Sequence, residues 1–122
     1  MSRGIILDDE INFVEELQEY LTSRGLPCVG MVDPLAAHYY IRTADYDVPF
    51  VILDLKMPGF TGREAVMFIR QVISESTLLA LVSGDRQSIR ALGLSATRTT
   101  CLFTKPVDAE AIVDFLQSGT GA

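Results

Sequence analysis

The sequence predicts an α/β fold, with five parallel strands in one sheet and helices over both faces. Two observations predict it. Short apolar runs alternate five times with longer stretches of helical period, a pattern that calls for a parallel sheet joined by right-handed crossovers. One run, Phe50–Leu53, shows no polar alternation at all, as expected of a strand buried on both faces. A third observation concerns how the runs end. Ile5–Leu7 leads into Asp8-Asp9-Glu10, Phe50–Leu53 into Asp54, Leu78–Val82 into Ser83, and Leu102–Thr104 into Lys105-Pro106. Parallel strands would bring these groups to one rim, the edge where open α/β sheets bind ligands.

Each element has a local cause. Arg3–Leu7 reads as the first strand, and Asp8 or Asp9 can cap the helix that follows, with Glu10 favourable to its N-terminus. Ile11, Val14, Leu17 and Leu21 form its apolar face, Glu15, Glu16 and Glu19 its polar one, and Gly25 ends it. Leu26–Val32 is a weaker strand, and Pro27 suggests a sheet edge. Asp33-Pro34 starts the second helix as N-cap and first residue, running through Leu35–Ala44 to a loop at Asp45–Pro49.

After the central strand, Pro58 and Gly59 enforce a loop. Arg63–Ile73 is the third helix, with Ala65, Val66, Ile69, Val72 and Ile73 inward. Leu78–Val82 is the fourth strand. Gln87–Thr97 is a poor helix, since Gly93 costs roughly 1 kcal/mol against Ala there and Ser95 and Thr97 add little. Thr100–Thr104 is the fifth strand and Val107–Gln117 the last helix, with Asp108 early and Ile112, Phe115 and Leu116 as its stripe. Ser118–Ala122 is expected to fray. With no repeat or linker, residues 1–122 are expected to form a single domain.

Composition narrows the function. The 122 residues suffice to bury roughly two thirds of the unfolded surface, and an apolar share of 48% speaks against disorder. A net charge of -6 argues against direct nucleic-acid binding. No apolar run approaches a membrane span and no signal core opens the chain, so a cytoplasmic location without membrane contact is expected. Cys28 and Cys101 lack metal-ligand spacing and read as small hydrophobes. The two lysines, Lys56 and Lys105, both fall at the predicted rim.

Carboxylates clustered without His or Cys suit a hard cation such as Mg²⁺, which takes few protein ligands and fills the rest with water and phosphate. A carboxylate can also attack phosphorus and form an aspartyl-phosphate, while an ammonium and a hydroxyl hold the phosphoryl oxygens. Each piece has a plain structural reading beside this one. Asp8 and Asp9 could be caps, Ser83-Gly84-Asp85 a helix start, Lys105-Pro106 a turn, and Arg86, Arg90 and Arg98 a solvated face. His38 reads as a partly exposed helix residue, and Tyr39 and Tyr40 as surface and core residues of the same helix.

Taken together and in order, these motifs resemble the receiver domain of two-component response regulators, over essentially the whole chain. The resemblance rests on Asp8-Asp9, on Asp54-Leu-Lys-Met57-Pro58 with Gly62 eight residues on, on Ser83, and on Lys105-Pro106. It implies a flavodoxin-like (βα)5 fold with strand order 2-1-3-4-5. That order places the cysteine-bearing strands on opposite edges, too far apart for a disulfide. It further implies that Asp54 accepts a phosphoryl group. Asp9, Asp54 and the Lys56 carbonyl would hold Mg²⁺, and Asp8 would act largely through water. Ser83, the Gly84 N–H and Lys105 would bind the phosphoryl group, with Lys105 aimed by a cis bond to Pro106.

The implied partners are a sensor histidine kinase or histidine phosphotransfer protein upstream and an unidentified protein downstream. The implied chemistry is self-phosphorylation with slow autodephosphorylation rather than steady turnover. The sequence departs from the family pattern in three places. Leu102 stands where an aromatic switch residue usually does, and Arg98-Thr99-Thr100 replace the usual Gly-Ala. Lys56 and Asp85 occupy the two positions that tune phosphoryl loss, and their opposite charges suggest a pair across the mouth of the site. The rival readings are a degenerate receiver that only binds protein, kept alive by Leu102, and a Mg²⁺-dependent phosphatase. For the phosphatase, Asp8-Asp9-Glu10 offers only Asp-x-Glu where Asp-x-Asp is wanted. A serine hydrolase fits poorly, since Ser83 lacks a nucleophile elbow and a His to serve it.

Overall fold

The computed structural model describes residues 2–43, 47–57, 60–72, 76–91 and 97–119. The elements in chain order are β1 (Gly4–Leu7), α1 (Ile11–Ser23), β2 (Cys28–Met31), α2 (Pro34–Thr43), β3 (Phe50–Asp54), β4 (Lys56–Met57), β5 (Phe60–Thr61), α3 (Gly62–Val72), β6 (Leu78–Ser83), α4 (Arg86–Ala91), β7 (Thr100–Thr104) and α5 (Ala109–Gly119). The main sheet has five strands in the order β2-β1-β3-β6-β7, all parallel. Strands β4 and β5 form a separate antiparallel ladder of two residues each. Setting that ladder aside, the main sheet has the expected 2-1-3-4-5 order.

The period-2 pleat of the central strands splits the core into two layers. Ile5, Leu7, Val51, Leu53, Leu79 and Leu81 face Ala37 and Ile41 of α2. Ile6, Phe50, Ile52, Leu78, Ala80 and Val82 face Val14, Leu17 and Leu21 of α1 and Ile112, Val113 and Leu116 of α5. Strands β1, β3 and β6 are buried along their whole length, which is why their sequences carry no polar alternation. β2 is an edge strand, as Pro27 suggested, and Cys28 and Cys101 are free on opposite edges. Among the described residues no helix is long and apolar enough to cross a membrane.

Helix ends follow the local chemistry with some corrections. Gly25 adopts φ +80 after α1, and Asp33 Oδ1 accepts the Leu35 N–H at 3.0 Å to cap α2. The expected cap of α1 by Asp8 or Asp9 is not formed; its N-cap is Glu10, without a side-chain hydrogen bond. Instead Asp8 Oδ1 accepts the Glu10 N–H at 2.9 Å, in the turn that leads from β1 to the helix. Ile11 is 51% exposed rather than inward. At about 100° per residue it points roughly 60° beyond the arc shared by Val14, Leu17 and Leu21.

Asp108, expected just inside α5, is its cap, accepting the Glu110 N–H at 3.0 Å, and Ser118 and Gly119 continue the helix rather than fray. Thr97, expected to be helical, lies in a turn where its Oγ1 accepts the Thr99 and Thr100 N–H groups. A Thr hydroxyl that can bond the backbone locally competes with the helix. The readings that involve Pro58, Gly59, Ile73, Gly93 and residues 120–122 lie outside the described residues. So do the side chains of Ala65, Ile69 and Val72.

Candidate functional site

Parallel register brings the carboxyl ends of β1, β3, β6 and β7 to one rim. Backbone hydrogen bonds tie the chain there. The Asp8 N–H donates to Met31 O at 3.1 Å, Leu55 N–H to Val82 O at 2.9 Å and Lys105 N–H to Ser83 O at 2.8 Å. The rim therefore gathers Asp8, Asp9, Asp54, Ser83 and Lys105, whose positions span almost a hundred residues of sequence. Each of the three aspartates offers an oxygen, and these oxygens lie within 4.8 Å of one another. Asp8 and Asp54 are buried, at 1% and 6% exposure, and Asp9 is exposed.

Lys105 is the cation of this cluster. Its Nζ lies 2.9 Å from Asp8 Oδ2, 3.8 Å from Asp54 Oδ2 and 3.9 Å from Glu10 Oε1, and 4.9 Å from the centroid of the Phe13 ring. Burial works to lower the lysine's pKa, but Asp8 first, then Asp54 and Glu10, outweigh it, and the net shift is upward. The peptide bond Lys105–Pro106 is cis. Asp54 goes the other way from most paired carboxylates. Burial raises its pKa to about 6; the Lys56 N–H and Lys105 pull it down, while Asp8 and Asp9 push it up.

The oxygens suit a hard cation. Asp8 Oδ2 is buried and pairs with the Lys105 ammonium at 2.9 Å, and a carboxylate oxygen so paired keeps a second lone pair for another ligand. A donor set made only of carboxylate oxygens, some exposed to water, fits Mg²⁺ and not a thiolate- or imidazole-seeking metal.

Further features frame the site. Lys56 Nζ and Asp85 Oδ2 are 3.7 Å apart, with the Lys56 side chain 62% exposed and that of Asp85 43%. Ser83 Oγ donates to Asp85 O and accepts the Asp85 N–H, both at 3.1 Å. Asp54 Oδ1 accepts the Lys56 N–H at 3.0 Å. Gly84 has open space where a Cβ would stand. Leu102 is half-buried on β7 against the core layer of Ile5 and Leu53.

The residues matched by the response regulator receiver domain family run from 5 to 117. The chain belongs to that family. Solved structures agree on the fold of this receiver domain. A response regulator receiver protein from Pseudomonas putida is 26% identical, with a TM-score of 0.74, and 97% of this chain and 98% of that one are covered. A Vibrio cholerae chemotaxis protein, CheY4, is 23% identical, with a TM-score of 0.74 and the same coverage of 97% and 98%. An adenylate cyclase from Rhodopirellula baltica has a TM-score of 0.81 at 19% identity, covering 96% of this chain and 85% of that one. No curated protein sequence matches the chain.

Two participants in the receiver's rim, and one contact at the opposite end of the sheet, were not foreseen. Glu10 was read as a helix-terminus charge, yet it approaches Lys105. Phe13 carried no signal, because half-burial on a helix leaves no periodic mark. At the amino ends of β6 and β7, away from the rim, Arg70 reaches from α3 to Thr77 O at 3.1 Å and Thr100 Oγ1 at 2.9 Å.

Proposed function

We propose that this receiver domain takes a phosphoryl group onto Asp54 from phosphohistidine on a sensor histidine kinase or histidine phosphotransfer protein, with Mg²⁺ bound. The supporting observation is the placement of Asp54, whose carboxylate clusters within 4.8 Å of two other acids and lies 3.8 Å from the Lys105 ammonium. An Asp54 oxygen forms the new O–P bond as the P–N bond breaks and the imidazole leaves with a proton. Lys105 holds a phosphoryl oxygen, aided by the Gly84 N–H. Ser83 turns from Asp85 O to donate to another. Asp8, Asp9, Asp54 and the Lys56 carbonyl are the candidate Mg²⁺ ligands. The bound cation would neutralise charge on the transferring group.

Loss of the phosphoryl group is hydrolysis, in which water attacks phosphorus, the O–P bond to Asp54 breaks and phosphate departs. The Lys56–Asp85 pair stands at the mouth and hinders that water. Rotation of Ser83, with repacking around Leu102, biases two forms of the domain that a downstream protein distinguishes. The cytoplasm, where such kinases present their phosphohistidine, is the expected setting.

The test is incubation with Mg²⁺ and a small acyl phosphate, read by intact mass. Wild type should gain the mass of one HPO₃, and Asp54→Asn should not. Equal gain in both would remove Asp54 from the centre of the proposal. No gain in wild type would favour a receiver that only binds protein.

A further inference from the structure

We propose that Phe13 is a positioning residue for Lys105, its ring keeping the ammonium over the site when a cation occupies the carboxylates. This rests on the phosphoryl-binding role given to Lys105 above. Among the described residues, four groups surround Lys105 Nζ: the Phe13 ring and the carboxylates of Asp8, Asp54 and Glu10. Asp8 and Asp54 belong to the acid cluster that would hold a divalent cation. When the cluster is neutralised, its attraction for the ammonium falls, and positive charge is added nearby. The ring differs in kind. A hard cation seeking oxygen leaves it alone, it has no titratable proton, and its negative face attracts an ammonium within about 6 Å.

At 4.9 Å from the centroid, Lys105 Nζ is inside that range. The ring itself is anchored. Phe13 is half-buried against the layer of Ile112, Val113 and Leu116. It also lines a cavity of about 310 Å³ together with Leu17, Tyr20, Val107 and Ala109. Its position is therefore set by α1 and α5 rather than by the charges of the rim. Two of the described holds on Lys105 stand outside the acid cluster; Glu10 is 3.9 Å away with its side chain 66% exposed to screening solvent, which leaves the Phe13 ring as the half-buried hold that does not weaken when a cation binds.

The test combines a spectroscopic and a kinetic reading of Phe13→Leu and Phe13→Tyr, each also made in a Lys105→Met background. The ring should shift the Lys105 ε-methylene protons upfield of those of exposed Lys56, in wild type and Phe13→Tyr, with Mg²⁺ present as well as absent. Phe13→Leu should lose the shift. Phosphoryl uptake from a small acyl phosphate, which needs no docked protein, should slow about 5-fold in Phe13→Leu, within a range of about 2 to 30. Phe13→Tyr should restore it, and Phe13→Leu should cause no further slowing in Lys105→Met. The proposal is overturned if the shift vanishes on adding Mg²⁺, if Phe13→Leu takes up the group at the wild-type rate, or if its defect persists in Lys105→Met. If wild type takes up nothing, the proposed function falls while the proton shift with Mg²⁺ still decides the role of Phe13.

Discussion

Replacing Asp54 by Asn should stabilise the metal-free protein, by an amount that depends on pH. Burial, reinforced by Asp8 and Asp9 and opposed by the Lys56 N–H and Lys105, raises the pKa of Asp54 from 3.8 to about 6. The folded state therefore holds this proton more tightly than the unfolded chain does. The resulting contribution to stability is complete below about pH 3.8 and is lost as the pH rises through about 6. At 1.36 kcal/mol per tenfold change in the proton's binding constant, the rise from 3.8 to about 6 makes the ionised carboxylate cost about 3 kcal/mol in the folded state. At 6% exposure, Asp54 has little solvent to screen this cost.

Asn does not ionise, and its Oδ1 can still accept the Lys56 N–H that Asp54 now accepts at 3.0 Å. The pull of Lys105 is already contained in the raised pKa, so it calls for no separate deduction. Urea unfolding in chelator at about pH 7.5 should show Asp54→Asn more stable by about 1–3 kcal/mol, a midpoint shift on the order of 1 M. Near pH 4.5 the two curves should draw together. Mg²⁺ should narrow the gap at the higher pH by binding wild type more tightly. Equal midpoints in chelator at about pH 7.5, or a gap independent of pH, would refute the reasoning.

Three other outcomes follow from the geometry. Lys56→Ala should change unfolding stability by about 1 kcal/mol or less, because the pair with Asp85 is solvent-exposed, yet shorten the aspartyl-phosphate lifetime; an unchanged lifetime would remove the pair from the control of hydrolysis. Gly4→Ala should destabilise by about 1–3 kcal/mol or more, since an added Cβ would stand 2.1 Å from the buried Phe50 ring; a wild-type thermal midpoint would show that the ring can yield. Cys28, buried and with its thiol pushed up to about 11, should resist disulfide reagents at about pH 8 until urea unfolds the chain; labelling of Cys28 in the native protein would contradict this.

Much of this structure is legible in the sequence, for reasons that differ by element. The unbroken apolar runs of β1, β3 and β6 announce burial on both faces, and Asp33-Pro34 announces a helix start, because both signals lie within a few neighbouring residues. Ile11 and Thr97 were misread where helix phase and local hydroxyl bonding outweigh residue type. Glu10, Phe13 and Arg70 were not foreseen, since each acts on a residue far away in the chain.

By itself the sequence determined the alternation of strands and helices, and which polar residue ends each strand. These depend on side-chain period and backbone preference, which act over short stretches. Only the tertiary structure decided that Asp54 is buried enough for its pKa to rise, that Asp8 Oδ2 meets the Lys105 ammonium at 2.9 Å, and that Lys56 comes within 3.7 Å of Asp85. Burial, ion pairing and ring contact depend on distances between strand ends, and those distances exist only once parallel register has brought the ends to one rim.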